Sequence, residues 1–186
     1  MAKLIYVMHT SLDGYVEDAQ GSFAWSTPNE EVNGYINNLT SSVGTYLYGR
    51  KMYDAMVYWE TEYAAHALPQ FLLDWAKQWQ ATEKIVYSRS LDESRTARTR
   101  IEREFNPDAI RLLKTHAVRD LTVNGSDLAA HALRAGLVDE IQMLVCPVVV
   151  GGGKRFFPDG LRLNLELIEA RAFSNGLVAM RYAVRG

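Results

Sequence analysis

Three short stretches of this chain carry groups that bind anions, and each follows an apolar run. They are Gly49-Arg50-Lys51, Ser88-Arg89-Ser90 and Asn124-Gly125-Ser126-Asp127. Arginine presents a planar fork of donors suited to phosphate. Serine hydroxyls add further donors, and a glycine lets the backbone approach a ligand closely. A helix starting at such a point turns free N–H groups and its positive dipole end outward. A fourth feature is Asp13, in Ser11-Leu12-Asp13-Gly14, an acid placed to donate or orient a proton. Each feature also has a plainer reading. Arg50-Lys51 suits a solvated basic pair, a turn aspartate bonds its own backbone, and Asn-Gly turns join strand to helix in many nucleotide-free sheets.

The elements that would position these groups can be read from periodicity. Apolar runs at 3–10, 43–48, 84–87, 121–123 and 141–150 read as strands, the first of them central. Between them lie helical segments. One is capped by Thr27, with Pro28 in its first turn and Glu30 completing a capping box, and runs to about Thr40. Another opens at Pro69, and its stripe of Phe71, Leu72, Trp75 and Trp79 reads as core. Two more run from Asn106-Pro107-Asp108 to His116 and from Asp127 to Ala135. Residues 163–173 and 177–184 flank Ser174-Asn175-Gly176 as a closing antiparallel hairpin. Strand alternating with helix predicts an α/β domain with a mostly parallel sheet, joined by right-handed crossovers such as 121–150. Ligands of such sheets bind beyond the carboxyl ends of the strands, where the three anion-binding stretches and Asp13 fall.

Composition narrows the classes. A chain of 186 residues with 48% hydrophobic content is expected to form a single domain over residues 1–186. The net charge of −2 argues against nucleic acid or an anionic membrane as partner, and acids interleave the basic run Arg95, Arg98, Arg100 and Arg103. No apolar run has the length of a membrane span, and the opening residues lack a signal-peptide pattern. The lone Cys146 precludes an internal disulfide and fits a reducing, cytoplasmic setting. The four histidines share no ligand spacing, so no metal site is expected. Gly151-Gly152-Gly153-Lys154 is not a phosphate-binding P-loop, because Val148 and Arg155 stand where a glycine and a Ser or Thr belong.

Three such strand ends in one sheet suit an extended ligand with phosphates at two places, and NADPH has that shape. The chain also resembles the dihydrofolate reductase superfamily, above all the reductase (C-terminal) domain of the bifunctional riboflavin-biosynthesis deaminase-reductase and its stand-alone relatives. The likeness rests on Ser11-Leu12-Asp13-Gly14, Leu47-Tyr48-Gly49-Arg50-Lys51-Met52-Tyr53, Val86-Tyr87-Ser88-Arg89-Ser90 and Val123-Asn124-Gly125-Ser126. Gly136-Leu137-Val138-Asp139-Glu140, Cys146-Pro147-Val148-Val149-Val150-Gly151-Gly152-Gly153 and the final hairpin complete it.

The resemblance implies a three-layer dihydrofolate reductase-like fold: a central, mostly parallel mixed sheet flanked by helices, with a C-terminal antiparallel hairpin. It implies an NADPH-dependent oxidoreductase that passes a hydride to a small polar heterocycle, pterin- or aminopyrimidine-like, such as 5-amino-6-(5-phosphoribosylamino)uracil. Arg50, Ser88 and Arg89 would hold the adenosine 2′-phosphate, with Gly49, Lys51 and Ser90 beside them. Asn124, Gly125, Ser126 and Asp127 would take the pyrophosphate, and the backbone of Met8 and His9 the nicotinamide. Asp13 would be the general acid, with Trp25, Tyr53, Val150 and Gly151 around the substrate. Asp139 and Glu140 would support the fold. The relatives' habit implies a homodimer. The acid that holds a pterin ring in dihydrofolate reductases has no counterpart, since Asn33 occupies that region with Glu30 and Glu31 off register. Folate reduction is therefore not expected, and a role in riboflavin synthesis calls for a separate deaminase. A catalytically silent nucleotide-binding protein on the same fold is the alternative.

Overall fold

Alternating apolar runs and amphipathic stretches resolve into one large sheet with helices on both faces. The computed structural model describes residues 1–63 and 66–185. The amino-terminal half runs β1 (Leu4–Ser11), β2 (Tyr15–Glu17), a short 3-10 turn (Ala24–Ser26), α1 (Glu30–Thr40), β3 (Val43–Gly49), α2 (Arg50–Met56), α3 (Tyr58–Thr61) and α4 (Gln70–Ala81). The remainder runs β4 (Glu83–Tyr87), β5 (Thr99–Glu102), α5 (Pro107–His116), β6 (Asp120–Asn124), α6 (Ser126–Arg134), β7 (Glu140–Cys146), β8 (Lys154–Arg155), β9 (Asn164–Ala172) and β10 (Val178–Arg185). No described helix is long and apolar enough to cross a membrane.

Eight strands lie in the order β5-β4-β3-β6-β1-β7-β10-β9, and β2 pairs with β8 in a separate ribbon. All neighbours from β5 to β7 are parallel, whereas β10 runs antiparallel to both β7 and β9. This is the expected mixed sheet with a closing hairpin. Register brings the strand ends level, with Tyr48 opposite Asn124 and Gly49 opposite Tyr87. The three stretches expected to bind anions therefore emerge side by side from the adjacent strands β4, β3 and β6.

Period-2 alternation divides the core between the two faces. Leu4, Tyr6, Leu121 and Val123 pack behind the sheet with Leu128, Ala132 and Leu133 of α6 and Ile110 of α5. Tyr46, Tyr48 and Val86 face forward onto Tyr53, Met56 and Trp79, and Leu144 packs on Val32 and Tyr35 of α1. Tyr53 is fully buried, and its hydroxyl is engaged by Thr96 Oγ1 at 3.1 Å and by the Arg95 N–H at 2.8 Å.

Two expected boundaries move. The first helix is capped by Asn29, whose Oδ1 accepts the Val32 N–H at 3.0 Å. Thr27 instead donates its hydroxyl to the Ala24 carbonyl at 3.0 Å, which holds the preceding turn. The apolar run 141–150 stays in the sheet only to Cys146, because Pro147 has no N–H for the ladder. Beyond it, the Val148 carbonyl accepts from Leu12 N–H at 2.8 Å.

Asp139 and Glu140 fasten the sheet to its surroundings, as expected. Asp139 Oδ2 accepts from Leu4 N–H at 2.7 Å and pairs with Lys114 at 2.6 Å. Glu140 is 2% exposed and meets Arg181 at 2.9 Å, Lys3 at 3.2 Å and Gln142 Nε2 at 2.8 Å.

Candidate active site

A cavity of about 900 Å³ opens at the carboxyl ends of β1, β3, β4 and β6 and runs inward between the sheet and helices α1 to α4. Its mouth is polar. The turn after β6 places Gly125 at φ +99°, a conformation that side chains rarely adopt, and a Cβ there would stand 3.5 Å from Met52 Cβ. Ser126 opens α6 directly behind it. Its Oγ is buried and has no protein partner among the described residues, so the cavity wall holds an unused donor beside the free N–H groups of a nine-residue helix.

Asn124 is spent on structure. Its Nδ2 donates to the Val7 carbonyl at 2.9 Å and its Oδ1 accepts from Thr122 Oγ1 at 2.9 Å, bolting β6 to β1. Gly125 N–H points at Met8 Sδ at 3.4 Å, which sets β1 close beside the turn.

On the other side of the mouth, Ser88 Oγ accepts from Leu91 N–H at 3.0 Å and from Ser90 N–H at 3.3 Å, leaving its own proton for a ligand. Arg50 is steadied by Asp54, with Nε 2.7 Å from Oδ2. Arg89 and Lys51 project into solvent at the rim, paired with Glu104 at 3.7 Å and Glu17 at 3.6 Å. Five lysine and arginine side chains line the cavity (Arg50, Lys51, Arg89, Arg103 and Lys154) against two acids, Glu17 and Asp127. That excess favours an anionic ligand at the mouth.

Deeper in, His9 is half-buried, and desolvation lowers its imidazole to about 4, so it is neutral at ordinary pH. Cys146 Sγ lies 3.9 Å from His9 Nδ1, and burial raises the thiol to about 11, which makes it inert.

Of the residues expected from sequence, Met8, His9, Gly49, Arg50, Lys51, Ser88, Arg89 and the segment 124–127 line this cavity. Ser90 does not. It is exposed, and only its backbone takes part, in the turn around Ser88. Tyr53 lies in the core beneath β3 and faces no ligand space, and Trp25 packs against the α1 core cluster with its indole N–H buried.

Asp13, expected as the general acid, is not among the residues that line the cavity. Its carboxylate accepts from Gly151 N–H at 2.8 Å and Val150 N–H at 3.2 Å, tying two loops together outside the cavity. Those bonds, with the Ser11 hydroxyl leading, hold the exposed carboxyl below the usual range, which suits a staple and not a proton donor. Val150 and Gly151 serve as its partners and do not floor the site.

Sequence reasoning missed three parts of the wall. Arg103 donates to the Leu91 carbonyl at 2.7 Å and the Ser88 carbonyl at 3.1 Å and reaches the mouth from the end of β5. Lys154 arrives from β8 and pairs with Asp127. Phe71, Leu72 and Trp75, expected as core with Trp79, are only half-buried and face the cavity, and Trp79 alone is fully buried.

A model of the RibD C-terminal domain family matches residues 2–179. The chain belongs to that family. The protein YyaP of Bacillus subtilis is 27% identical over 185 residues, covering 99% of this chain and 96% of that protein. A Shewanella sp. PV-4 protein, provisionally assigned to riboflavin biosynthesis, superposes with a TM-score of 0.76 at 21% identity, each chain covered in full. A pyrimidine reductase-like protein of Corynebacterium diphtheriae gives 0.73 at 14% identity, over 100% of this chain and 92% of that one. The Thermotoga maritima deaminase/5-amino-6-(5-phosphoribosylamino)uracil reductase gives 0.68 at 12% identity, and this chain spans only 57% of it. The three structural likenesses bear on the fold.

Proposed function

We propose that this chain is an NADPH-dependent oxidoreductase, of the reductase type of its family, that delivers a hydride to the polar double bond of a small nitrogen heterocycle. The observation that carries the reading is the level register of β4, β3 and β6, which sets Ser88-Arg89, Gly49-Arg50 and Gly125-Ser126 along one cavity mouth. The residues present fit a dinucleotide. The unpartnered, buried Ser126 Oγ and the close backbone approach that Gly125 allows at φ +99° suit the pyrophosphate, and the guanidinium groups of Arg50 and Arg89 with the Ser88 hydroxyl suit the 2′-phosphate.

When bound, the coenzyme supplies the hydride. The protein's part would be orientation: the β1 edge at Met8 and His9 would back the nicotinamide, and the cavity walls would hold the acceptor carbon toward it. A neutral His9 adds no positive charge beside that ring. The slot beyond His9 carries no carboxyl among its described lining residues, and we assign the proton to water.

Binding should be selective. NADPH raises the melting temperature by several degrees more than NADH at equal concentration, and replacing both Arg50 and Arg89 with Ala removes the difference. An equal response to the two coenzymes would discard the reading. Oxidation of NADPH with a heterocyclic acceptor separates a working reductase from a silent binder.

Pairing of two copies belongs to the same proposal. β9 is an edge strand that leaves Leu165, Leu167 and Ile168 exposed at 39%, 55% and 46%, the kind of row that invites another chain. Light scattering should give twice the mass of one chain, falling to the single-chain value for Leu167→Lys.

A further inference from the structure

Beyond the polar mouth the cavity becomes a slot of different chemistry. Tyr46 of β3 forms one wall, and Ile36 of α1, Trp59 of α3 and Phe71, Leu72 and Trp75 of α4 form the other. The two indoles stand edge to face with centroids 6.5 Å apart, and Trp75 lies 6.5 Å from the Tyr46 ring. No lysine, arginine or histidine of α1, α3 or α4 reaches the cavity among the described residues.

The Tyr46 hydroxyl is buried without a hydrogen-bond partner among the described residues, and the other polar groups here are largely committed. Thr40 donates to the Ile36 carbonyl at 2.8 Å and accepts from Gln78 Nε2 at 2.6 Å. Asn33, which lines the cavity, donates Nδ2 to the carbonyls of Asn29 and Pro28 at 3.2 and 3.4 Å, and its Oδ1 is left as an acceptor without a partner among the described residues.

A phosphorylated sugar buried in such a slot would lose its hydration without gaining a cation, at a cost of several kcal/mol. An uncharged aromatic body gains from the same walls by apolar burial and ring packing. We infer that the substrate is an uncharged, planar aromatic imine or carbonyl carrying a ring N–H and no phosphate. This inference rests on the reductase reading above. In the reaction a new C–H bond forms at the electrophilic carbon with the hydride of NADPH. The π pair of the C=N or C=O bond passes to the heteroatom, which takes a proton from water, and NADP⁺ and the amine or alcohol leave.

The test compares 3-methylquinoxalin-2-one, a flat uncharged cyclic imine with a ring N–H, with 5-amino-6-(5-phosphoribosylamino)uracil, using the full chain. Turnover is followed by loss of NADPH absorbance. Binding is followed by quenching of tryptophan emission with NADP⁺ present at saturation, so it does not depend on turnover. We expect saturable quenching and reduction for the quinoxalinone and neither for the phosphate ester. Phe71→Ser and, separately, Leu72→Arg should each raise its dissociation constant about tenfold or more, while the melting response to NADPH persists in both variants. Reduction of the phosphate ester without quenching by the quinoxalinone overturns the inference. Quenching without any NADPH oxidation supports the apolar slot but overturns hydride transfer. Loss of the NADPH melting response in the unaltered protein overturns the coenzyme reading alone.

Discussion

Gly153→Ala is expected to cost about 2–4 kcal/mol, lowering the melting temperature by roughly 5–15 °C. Gly153 sits at φ +128°, where a side chain is already strained, and an added Cβ would fall 2.1 Å from the Glu17 carbonyl oxygen and 2.6 Å from the Asp18 carbonyl carbon. Both obstacles are backbone, so no rotamer change relieves them. The β2–β8 ribbon must open, and it anchors more than itself. Phe156 N–H bonds the Gly14 carbonyl at 2.9 Å, and the Phe156 carbonyl accepts from Tyr6 OH at 2.9 Å. The Phe156 ring stacks on Tyr6 at 4.2 Å in the core. Lys154, the next residue, lines the cavity mouth, so coenzyme affinity should fall together with stability. Gly152→Ala is the control: its added Cβ meets nothing within 4 Å, and it should change the melting temperature by about 2 °C or less. Equal effects from the two substitutions would show that the ribbon does not require close approach at Gly153.

How much of this could be read from residues alone depends on whether the signal is local. The strands, the closing hairpin and the polar strand ends at 49–51, 88–90 and 124–127 were legible because alternation, turn residues and glycines act within a few positions. Their convergence followed from parallel pairing. Side-chain orientation did not follow. Phe71, Leu72, Trp75 and Trp79 share one helical stripe, yet only Trp79 is fully buried in the core at β3, where its Nε1 reaches Tyr48 OH at 3.0 Å, and Trp75 packs at the margin of that core. The other three look into the cavity, and helical spacing is the same for a wall as for a core. Arg103 was obscured for a related reason. Its acidic neighbours suggested a solvated face, but β5 pairs with β4, and Ser88 N–H bonds the Glu102 carbonyl at 3.0 Å, which carries Arg103 to the mouth. Asp13 looked catalytic because it follows a strand end. Its partners, Val150 and Gly151, lie more than a hundred residues away, and nothing near Asp13 signals them. The Thr27 cap failed on a competition between neighbours: Asn29 is also a good cap, and the Ala24–Ser26 turn had already engaged the Thr27 hydroxyl.

Replacing Glu140 tests what joins the parallel core to the hairpin, and its effect should depend on pH with a defined sign. The carboxylate sits at the start of β7, in register with Ile5 of β1 and Ala183 of β10. Burial opposes its ionisation, but hydrogen bonds from Gln142 and Arg181, the Arg181 charge and the Lys3 bond outweigh that, and its pKa falls below the ordinary 4.5. Glu140→Ala leaves Arg181 facing a buried gap with only Glu169, at 3.1 Å, to balance it. Loss of one partner of a buried pair costs about 3–5 kcal/mol, and the remaining Glu169 contact places this case near the lower end. Because the folded-state pKa is depressed, the stability that ionised Glu140 provides is complete above about 4.5 and drains as pH falls through the lower folded value. Urea unfolding at about pH 7 and about pH 4 should therefore show a steeper acid loss in the unaltered protein than in Glu140→Gln, which keeps an acceptor oxygen without a titrating charge. Parallel losses in the two proteins would mean that acid lability arises elsewhere in the chain and that the Arg181 pair contributes geometry without pH-linked stability.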